Sequence, residues 1–210
     1  MQPTIEQIQP NIKVAPNPKM TYEEFLDWCN EDTLAEWIDG EIVMTSPASL
    51  EHQDISSLLE TLLRFFVEEH NLGKVIRAPF QMKLKDSGRE PDLLFVAKEN
   101  LGRLHKTYLD GEADLAIEII SPESGTRDRG EKFYEYEAGG VREFWLIDPI
   151  RQQAEFYQLG ENKLYQHVAP DASGVYRSKV IAGFWLKVTW LWEKPLKPTR
   201  EVLKELGLTK

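Results

Sequence analysis

The stretch "REPDLLFV", residues 89–96, places a proline and an aspartate where a run of strand-forming apolar residues begins. Aspartate is unfavourable inside a strand, and proline cannot donate a hydrogen bond to a sheet. A turn that leads into a strand would explain both residues. The alternative is that Asp92 is a metal ligand held on a rigid element.

A second carboxylate lies inside the next predicted strand, "LAIEIIS", residues 115–121. Glu118 has apolar neighbours on both sides, and an ionised carboxylate in such a strand is costly unless it is paired or binds a metal ion. An edge strand facing water, or pairing with an arginine, would be a purely structural explanation. Glu118 alone leaves both explanations open.

The third element is a helix predicted from near Thr126 to the two glycines at 139 and 140. Its α-helical spacing predicts that Phe133 and Ala138 face inward, with Lys132 beside them at the core boundary and aimed over the sheet. Asp128 is expected nearer solvent, and an isolated pair with Lys132 would usually be a solvated surface pair.

The remaining pattern predicts the fold class. Apolar residues at three- and four-residue steps indicate a long helix over 49–70, and Asp39-Gly40 indicates a tight hairpin turn. The order helix, strand, strand, strand, helix, strand predicts an α/β sandwich with a mixed sheet flanked by helices. The strand "REFWLIDP" is apolar almost throughout and is expected to be buried on both faces.

The chain is expected to form one domain over residues 20–192, preceded by an extended arm over 1–19. A tail over 193–210 follows and carries a short helix. A hairpin and a Trp-rich strand give the domain a β-rich C-terminal segment. For Trp185, Trp190 and Trp192 we expect core packing, with a dimer surface as the alternative.

Composition limits the class of protein. The chain has 210 residues and one cysteine, so it has no internal disulfide and no all-cysteine zinc site. Neither a signal peptide nor a membrane span is predicted, and a cytoplasmic location is the default expectation. The net charge of −10 argues against tight non-specific binding to duplex DNA. A nuclease is still possible, because metal-binding carboxylates themselves add negative charge.

Several segments together resemble the Uma family of restriction endonucleases, within the PD-(D/E)XK nuclease superfamily. They are "WIDGEIVMTSP", "EHQ", "REPDLLFV", "AIEIISPES" and "RDRGEKFYEYEAGGVREFWLIDP". The likeness runs from about Tyr22 to about Tyr157. It implies a restriction-endonuclease-like core with the helix and strand order described above.

The resemblance assigns chemistry to the three elements. Asp92 and Glu118 would bind one Mg²⁺ or Mn²⁺, with a backbone carbonyl such as that of Ile119 and waters completing the shell. Ile120 stands where many superfamily members carry a catalytic lysine, and in the Uma family that lysine is on the following helix, which points to Lys132. We favour an electrostatic role for Lys132, since an unperturbed ammonium is a poor base.

Two further residues are candidates. Glu41 follows the Asp39-Gly40 turn and could approach the metal from a neighbouring strand, or it could be an exposed hairpin residue. His52 falls at the N-terminal end of the apolar stripe of the long helix. It is either a hydrogen-bonded boundary residue or, within the family-like "EHQ", a site residue together with Gln53.

Two functions are therefore expected to compete. The first is a Mg²⁺-dependent endonuclease acting on DNA as a homodimer, because cutting two strands requires two sites. The second is a non-catalytic nuclease-fold module for binding or interaction, or a hydrolase of another phosphodiester.

Overall fold

Capping residues set the start of the first two helices. In α1 (Tyr22–Trp28), Thr21 and Glu24 form the predicted capping box. In α2 (Leu50–Glu69), the Ser49 hydroxyl accepts a hydrogen bond from the backbone N–H of His52. The computed structural model describes residues 19–29, 33–44, 48–121 and 128–209. The predicted arm over 1–19 therefore lies, apart from its last residue, outside the described residues.

The later helices are short. α3 (Phe133–Gly139) ends at Gly140, whose φ of +88° is the left-handed conformation that glycine adopts without strain. α4 (Thr199–Glu205) is the short C-terminal helix predicted from the sequence. One π-helical turn (Asp128–Lys132) leads directly into α3, and the predicted start of that helix near Thr126 lies outside the described residues. Two 3₁₀ turns span Lys98–Arg103 and Val188–Leu191.

The strands of the described residues form two larger sheets and one small hairpin. They are β1 (Ala35–Ile38), β2 (Glu41–Met44), β3 (Gly73–Arg77), β4 (Gln81–Lys83), β5 (Ser87–Arg89), β6 (Leu93–Ala97), β7 (Tyr108–Asp110), β8 (Leu115–Ile119), β9 (Glu143–Asp148), β10 (Gln153–Leu159), β11 (Tyr165–His167), β12 (Val175–Arg177) and β13 (Trp185–Lys187). One sheet has the order β11-β10-β9-β8-β6-β3 and the other has the order β2-β1-β5-β4-β7.

Both larger sheets are mixed. In the six-stranded sheet β8 and β9 run parallel, and in the five-stranded sheet β4 and β7 do so, while the other pairs are antiparallel. The predicted class, mixed sheets flanked by helices, is confirmed. β9 is buried along its whole length, as its apolar sequence predicted. The strands β5 and β7 were not predicted, because each has three residues and no apolar alternation.

Two apolar cores lie on opposite faces of the six-stranded sheet. On one face, Phe95 and Ile117 pack against α2 and α4. On the other, Leu94 and Ala116 pack together with residues of the five-stranded sheet and of α3. Trp190 is buried in the first core, so the core interpretation of this tryptophan is confirmed. None of the described helices has a stretch long and apolar enough to cross a bilayer.

Candidate active site

Asp92 and Glu118 lie close together where the pairing of β6 and β8 ends. The last paired residues are Leu93 and Ile117, so Asp92 directly precedes the paired part of β6 and Glu118 directly follows that of β8. The backbone N–H of Ile119 donates to the Asp92 carboxylate, and the charge of Asp92 raises the pKa of Glu118. Glu118 contacts Lys132 and Tyr136, whereas Asp92 contacts His52 of α2.

Asp92 is held on both of its oxygens. Its Oδ2 accepts a 2.7 Å hydrogen bond from the backbone N–H of Ile119, and its Oδ1 lies 3.1 Å from Nε2 of His52. Burial of the ring lowers the pKa of His52, but the hydrogen bond and charge of Asp92, with a backbone hydrogen bond to Ile119, outweigh it and raise the pKa. The Asp92 side chain remains 21% exposed, so this end of the site is open to a ligand.

Glu118 is fully enclosed. Its Oε2 accepts a 2.8 Å hydrogen bond from Nζ of Lys132, and its Oε1 accepts a 2.6 Å hydrogen bond from the hydroxyl of Tyr136. Burial raises the pKa of Glu118; Lys132 lowers it, but Asp128, Asp92 and other nearby carboxylates raise it further. The net direction is upward, because burial is the largest effect and the one ammonium, shared among several carboxylates, does not offset it.

Lys132 is the centre of that cluster. In addition to Glu118, its ammonium lies 3.3 Å from Oε1 of Glu36 and 3.3 Å from Oδ1 of Asp128. Burial lowers the pKa of Lys132, but these three carboxylates outweigh the burial and raise it. Lys132 is therefore a protonated cation and not a free base, and the expected approach to Glu118 is observed.

The helix that carries Lys132 packs Phe133 against the core, as predicted, but two other residues differ from the prediction. Asp128 was expected near solvent but is buried, and Ala138 was expected inward but is exposed. Also inward are Asp128, Lys132 and Tyr136, which follow one another at four-residue steps and thus share one side of the helix. The prediction was wrong for Asp128 and Ala138, because it sought only apolar residues on the inward side, where polar side chains also lie.

Sequence reasoning missed Glu36. The register of β1 and β5 joins Trp37 to Gly88, and so places Glu36 opposite Arg89. Nη1 of Arg89 lies 3.1 Å from Oε2 of Glu36, and both side chains are buried. In the sequence this glutamate has apolar neighbours on both sides, Ala35 and Trp37, as Glu118 has in its strand. The signal that marked Glu118 could therefore have marked Glu36 as well.

Glu41, the carboxylate predicted from the same hairpin, does not reach the cluster. It is exposed and lies at the turn end of β2, opposite Ile38. The prediction that it approaches the metal is therefore wrong, and the alternative of an exposed hairpin residue is observed. Gln53 also turns elsewhere, since its Oε1 accepts a 3.1 Å hydrogen bond from Arg77.

The cluster has the donor chemistry of a site for a hard divalent cation. Within the described residues no three side chains of His, Cys, Asp or Glu converge on one point as in a closed metal site. The predicted site needs only two, Asp92 and Glu118, with a carbonyl and waters. Oδ1 of buried Asp128 accepts no hydrogen bond from the described residues, and its partner is the Lys132 ammonium at 3.3 Å. Carboxylate oxygens are ligands of the type that Mg²⁺ and Mn²⁺ take.

Comparison with known proteins agrees with this architecture. The model of the family Uma2, described as "Putative restriction endonuclease", matches residues 22–189. None of the curated proteins matches the chain. A crystal structure from Anabaena variabilis ATCC 29413, described as "a putative nuclease belonging to DUF820", superposes with a TM-score of 0.70 at 20% sequence identity. The match covers 82% of this chain and 97% of that chain, and it shows a shared fold.

Proposed function

This chain belongs to the Uma2 family, and we propose that it is a metal-dependent endonuclease that hydrolyses phosphodiester bonds of DNA. The observation that supports this most is the convergence of Glu36, Glu118 and Asp128 on one buried ammonium. These carboxylates come from both sheets and from the π turn, and Asp92 lies near Glu118 and is partly exposed to solvent. A structural ion pair does not require so many like charges in one place.

Asp92 and Glu118 are the proposed side-chain ligands of the cation, with the backbone carbonyl of Ile119 as a third oxygen donor. A bound Mg²⁺ or Mn²⁺ would supply positive charge at the scissile phosphate and make a water molecule easier to deprotonate. The N–H of Ile119 already fixes one oxygen of Asp92, and Tyr136 fixes one oxygen of Glu118. The two carboxylates are thus oriented by the protein before any ligand binds.

The cationic side chains have different roles in this proposal. The Lys132 ammonium stabilises the negative charge that develops on the phosphoryl oxygens, because its pKa is raised and it keeps its proton. His52 orients Asp92 through the contact with Oδ1 and gives this carboxylate a partner while no cation is bound. Neither residue is required to act as the general base.

DNA binding by this chain must depend on local groups. A net charge of −10 gives no overall attraction to the phosphate backbone, so the number of local contacts to phosphates sets the salt dependence of binding. We further propose that the enzyme acts as a homodimer, because two strands require two sites. Sedimentation velocity at micromolar concentration tests this, and a mass of one 24.3 kDa chain would contradict it.

Cleavage and metal binding test the proposed function together. Purified protein is incubated with a mixture of double- and single-stranded DNA, with Mg²⁺, with Mn²⁺ and with chelator. The wild type is expected to cleave only with metal, and Asp92→Ala is expected to lose both cleavage and Mn²⁺ binding. Asp110→Ala, which removes an exposed aspartate from β7, is the matched control and should retain both.

The result that contradicts the proposal is an absence of metal-dependent cleavage in the wild type over all substrates. Mn²⁺ binding that persists in Asp92→Ala would contradict the assignment of this ligand. If Mn²⁺ binds without cleavage of DNA, the second function follows, a nuclease-fold module or a hydrolase of another phosphodiester.

A further inference from the structure

The three carboxylates around Lys132 are not equivalent. Glu118 lies on β8 and is a proposed metal ligand, so it becomes less available to the ammonium when a cation binds. Asp128 lies four residues before the lysine in the same helical segment and therefore moves with it. Glu36 lies on β1 of the other sheet. It is the partner that can hold the ammonium from an independent element.

Glu36 is itself anchored on both oxygens. Oε2 accepts a 3.1 Å hydrogen bond from Nη1 of Arg89, and Oε1 accepts a 3.1 Å hydrogen bond from the backbone N–H of Glu90. Burial raises the pKa of Glu36, but Lys132 and Arg89 outweigh the burial and lower it below its usual value. The residue is therefore a fixed anion beside the ammonium.

Arg89 connects this anion to the helix that carries Lys132. Its Nε donates a 2.8 Å hydrogen bond to Glu135 on α3, and its Nη2 lies 3.5 Å from Glu131 on the π turn. The side chain of Arg89 is completely buried. One guanidinium thus contacts the strand of Glu36 and the helix together, and it holds Oε2 of Glu36 while Oε1 faces the ammonium.

We propose that Glu36 is a positioning residue that, supported by Arg89, holds the Lys132 ammonium in place when the cation occupies Glu118. Glu36 touches neither the cation nor the substrate in this arrangement; it acts through Lys132. The inference rests on the proposed nuclease function for its kinetic consequence, but the geometry of the lysine can be tested without catalysis.

The experiment compares Glu36→Gln with Glu135→Gln in the full chain. Both variants remove a carboxylate partner of Arg89, but only Glu36 contacts Lys132. The first readout is the rate at which an amine reagent labels Lys132, measured by mass spectrometry against exposed Lys74. Loss of a charged partner should raise the rate for Glu36→Gln about tenfold, while Glu135→Gln stays at the wild-type rate.

The second readout is steady-state cleavage with Mn²⁺. Glu36→Gln is expected to lower kcat about 100-fold, since a displaced Lys132 ammonium no longer stabilises the transition state. The KM and the Mn²⁺ affinity should not change, because neither substrate nor cation contacts Glu36. A role in folding alone would not separate kcat from KM in this way.

Unchanged labelling of Lys132 in Glu36→Gln overturns the inference, whether or not the protein cleaves DNA. Equal labelling increases in both variants overturn it as well, since the effect would then come from Arg89. If Glu36→Gln does not fold, Glu36→Asp is measured by the same two criteria. If the wild type cleaves nothing, the proposed function fails, and the labelling comparison alone decides the positioning role.

Discussion

Two glutamates lie buried on neighbouring parallel strands, and they are held in different ways. Glu143 begins β9 and is paired in register with the first residue of β8, the strand that carries Glu118. Glu143 accepts hydrogen bonds from five uncharged groups, which are the indole of Trp145, the hydroxyls of Tyr176 and Ser178, and the backbone N–H groups of Lys179 and Val180. The hydrogen bonds to Glu143 thus come from neutral donors that are not shared with another carboxylate.

Glu118 has two donors, the Lys132 ammonium and the Tyr136 hydroxyl, and the ammonium is shared with two other carboxylates. The comparison shows two ways in which a buried carboxylate is held, by several neutral donors or by a shared cation. Neutral donors stabilise Glu143 without bringing a second charge near it. Glu118 shares its cation with Glu36 and Asp128, and under the proposed function a divalent ion would bring further positive charge to this cluster.

The largest expected effect is the loss of cleavage in Glu118→Gln. The amide removes the charge that would bind the cation, so cleavage should fall at least about 1000-fold. The free energy of unfolding should change by no more than about 1 kcal/mol, because the substitution also removes one like charge from the cluster. Cleavage assays with Mn²⁺ and urea unfolding of the same preparation measure the two quantities.

Glu41→Gln is the control for Glu118→Gln, since it neutralises an exposed carboxylate on β2. It should retain wild-type cleavage and stability. Cleavage by Glu118→Gln at the wild-type rate would show that Glu118, like Glu143, has no part in cleavage. A large loss of stability in Glu118→Gln would show that Glu118 is needed for folding, as Glu143 is expected to be.

The second prediction is that Glu143→Gln loses stability and retains cleavage, the opposite of Glu118→Gln. The amide nitrogen cannot accept hydrogen bonds, so donors on one side of the group lose their acceptor. We expect the free energy of unfolding to fall by about 2–4 kcal/mol, the cost of buried donors left without a charged acceptor. Cleavage per folded molecule should stay near the wild-type value, because the group lies outside the carboxylate cluster.

Urea unfolding measures this effect, with Glu161→Gln as the control at an exposed position on the same half of the chain. The control should change stability by less than about 0.5 kcal/mol. An equally small change in Glu143→Gln would mean that the five neutral donors find other partners, and the proposed distinction would not hold.

Most of the fold could be predicted from local pattern. The stripe of α2, the hairpin turn at Asp39-Gly40 and the apolar run of β9 each carry their signal within a few residues. The positive φ of both turn residues agrees with the dipeptide that occupies the turn. The short strand β5 was missed, because its pairing with β1 and β4 depends on segments far away in the chain.

The site was predictable only where the polar residue contradicts its surroundings. Asp92 and Glu118 stand out because a carboxylate is costly beside strand-forming apolar residues. Asp128 does not stand out, since it lies between Arg127 and Arg129, as surface residues often do, whereas Glu36 lies between Ala35 and Trp37 and carried the same signal as Glu118 in a shorter strand. Their burial follows from the packing of the two sheets and the helix against one another, which local periodicity does not encode.

The smallest expected effect concerns Glu90, whose surroundings are intermediate between those of Glu143 and those of Glu118. It is partly buried, and Nε2 of Gln81 donates a 2.8 Å hydrogen bond to its Oε1. Burial raises its pKa to about 7; the Gln81 hydrogen bond opposes this, and the nearby charge of Glu36 adds to it. One neutral donor is thus too few to keep this carboxylate ionised as an ordinary glutamate is.

A raised pKa in the folded state means that folding favours the neutral form of Glu90. Below pH 4.5 the group is neutral in both states and has no effect on stability. Between pH 4.5 and about 7 the unfolded chain ionises first, so the free energy of unfolding falls as the pH rises, and the loss is complete above pH 7.

Glu90→Gln keeps a neutral group at every pH and should remove this dependence. The variant should be more stable than the wild type at pH 8 by on the order of 1–2 kcal/mol, and equal to it near pH 4. Urea unfolding of both proteins at intervals from pH 4 to 8 gives the difference directly, because all other titrating groups are common to the two chains. A difference that shrinks as the pH rises would show that Glu90 is stabilised as an anion, as Glu36 is, and that its single amide donor and the Lys132 charge outweigh its burial.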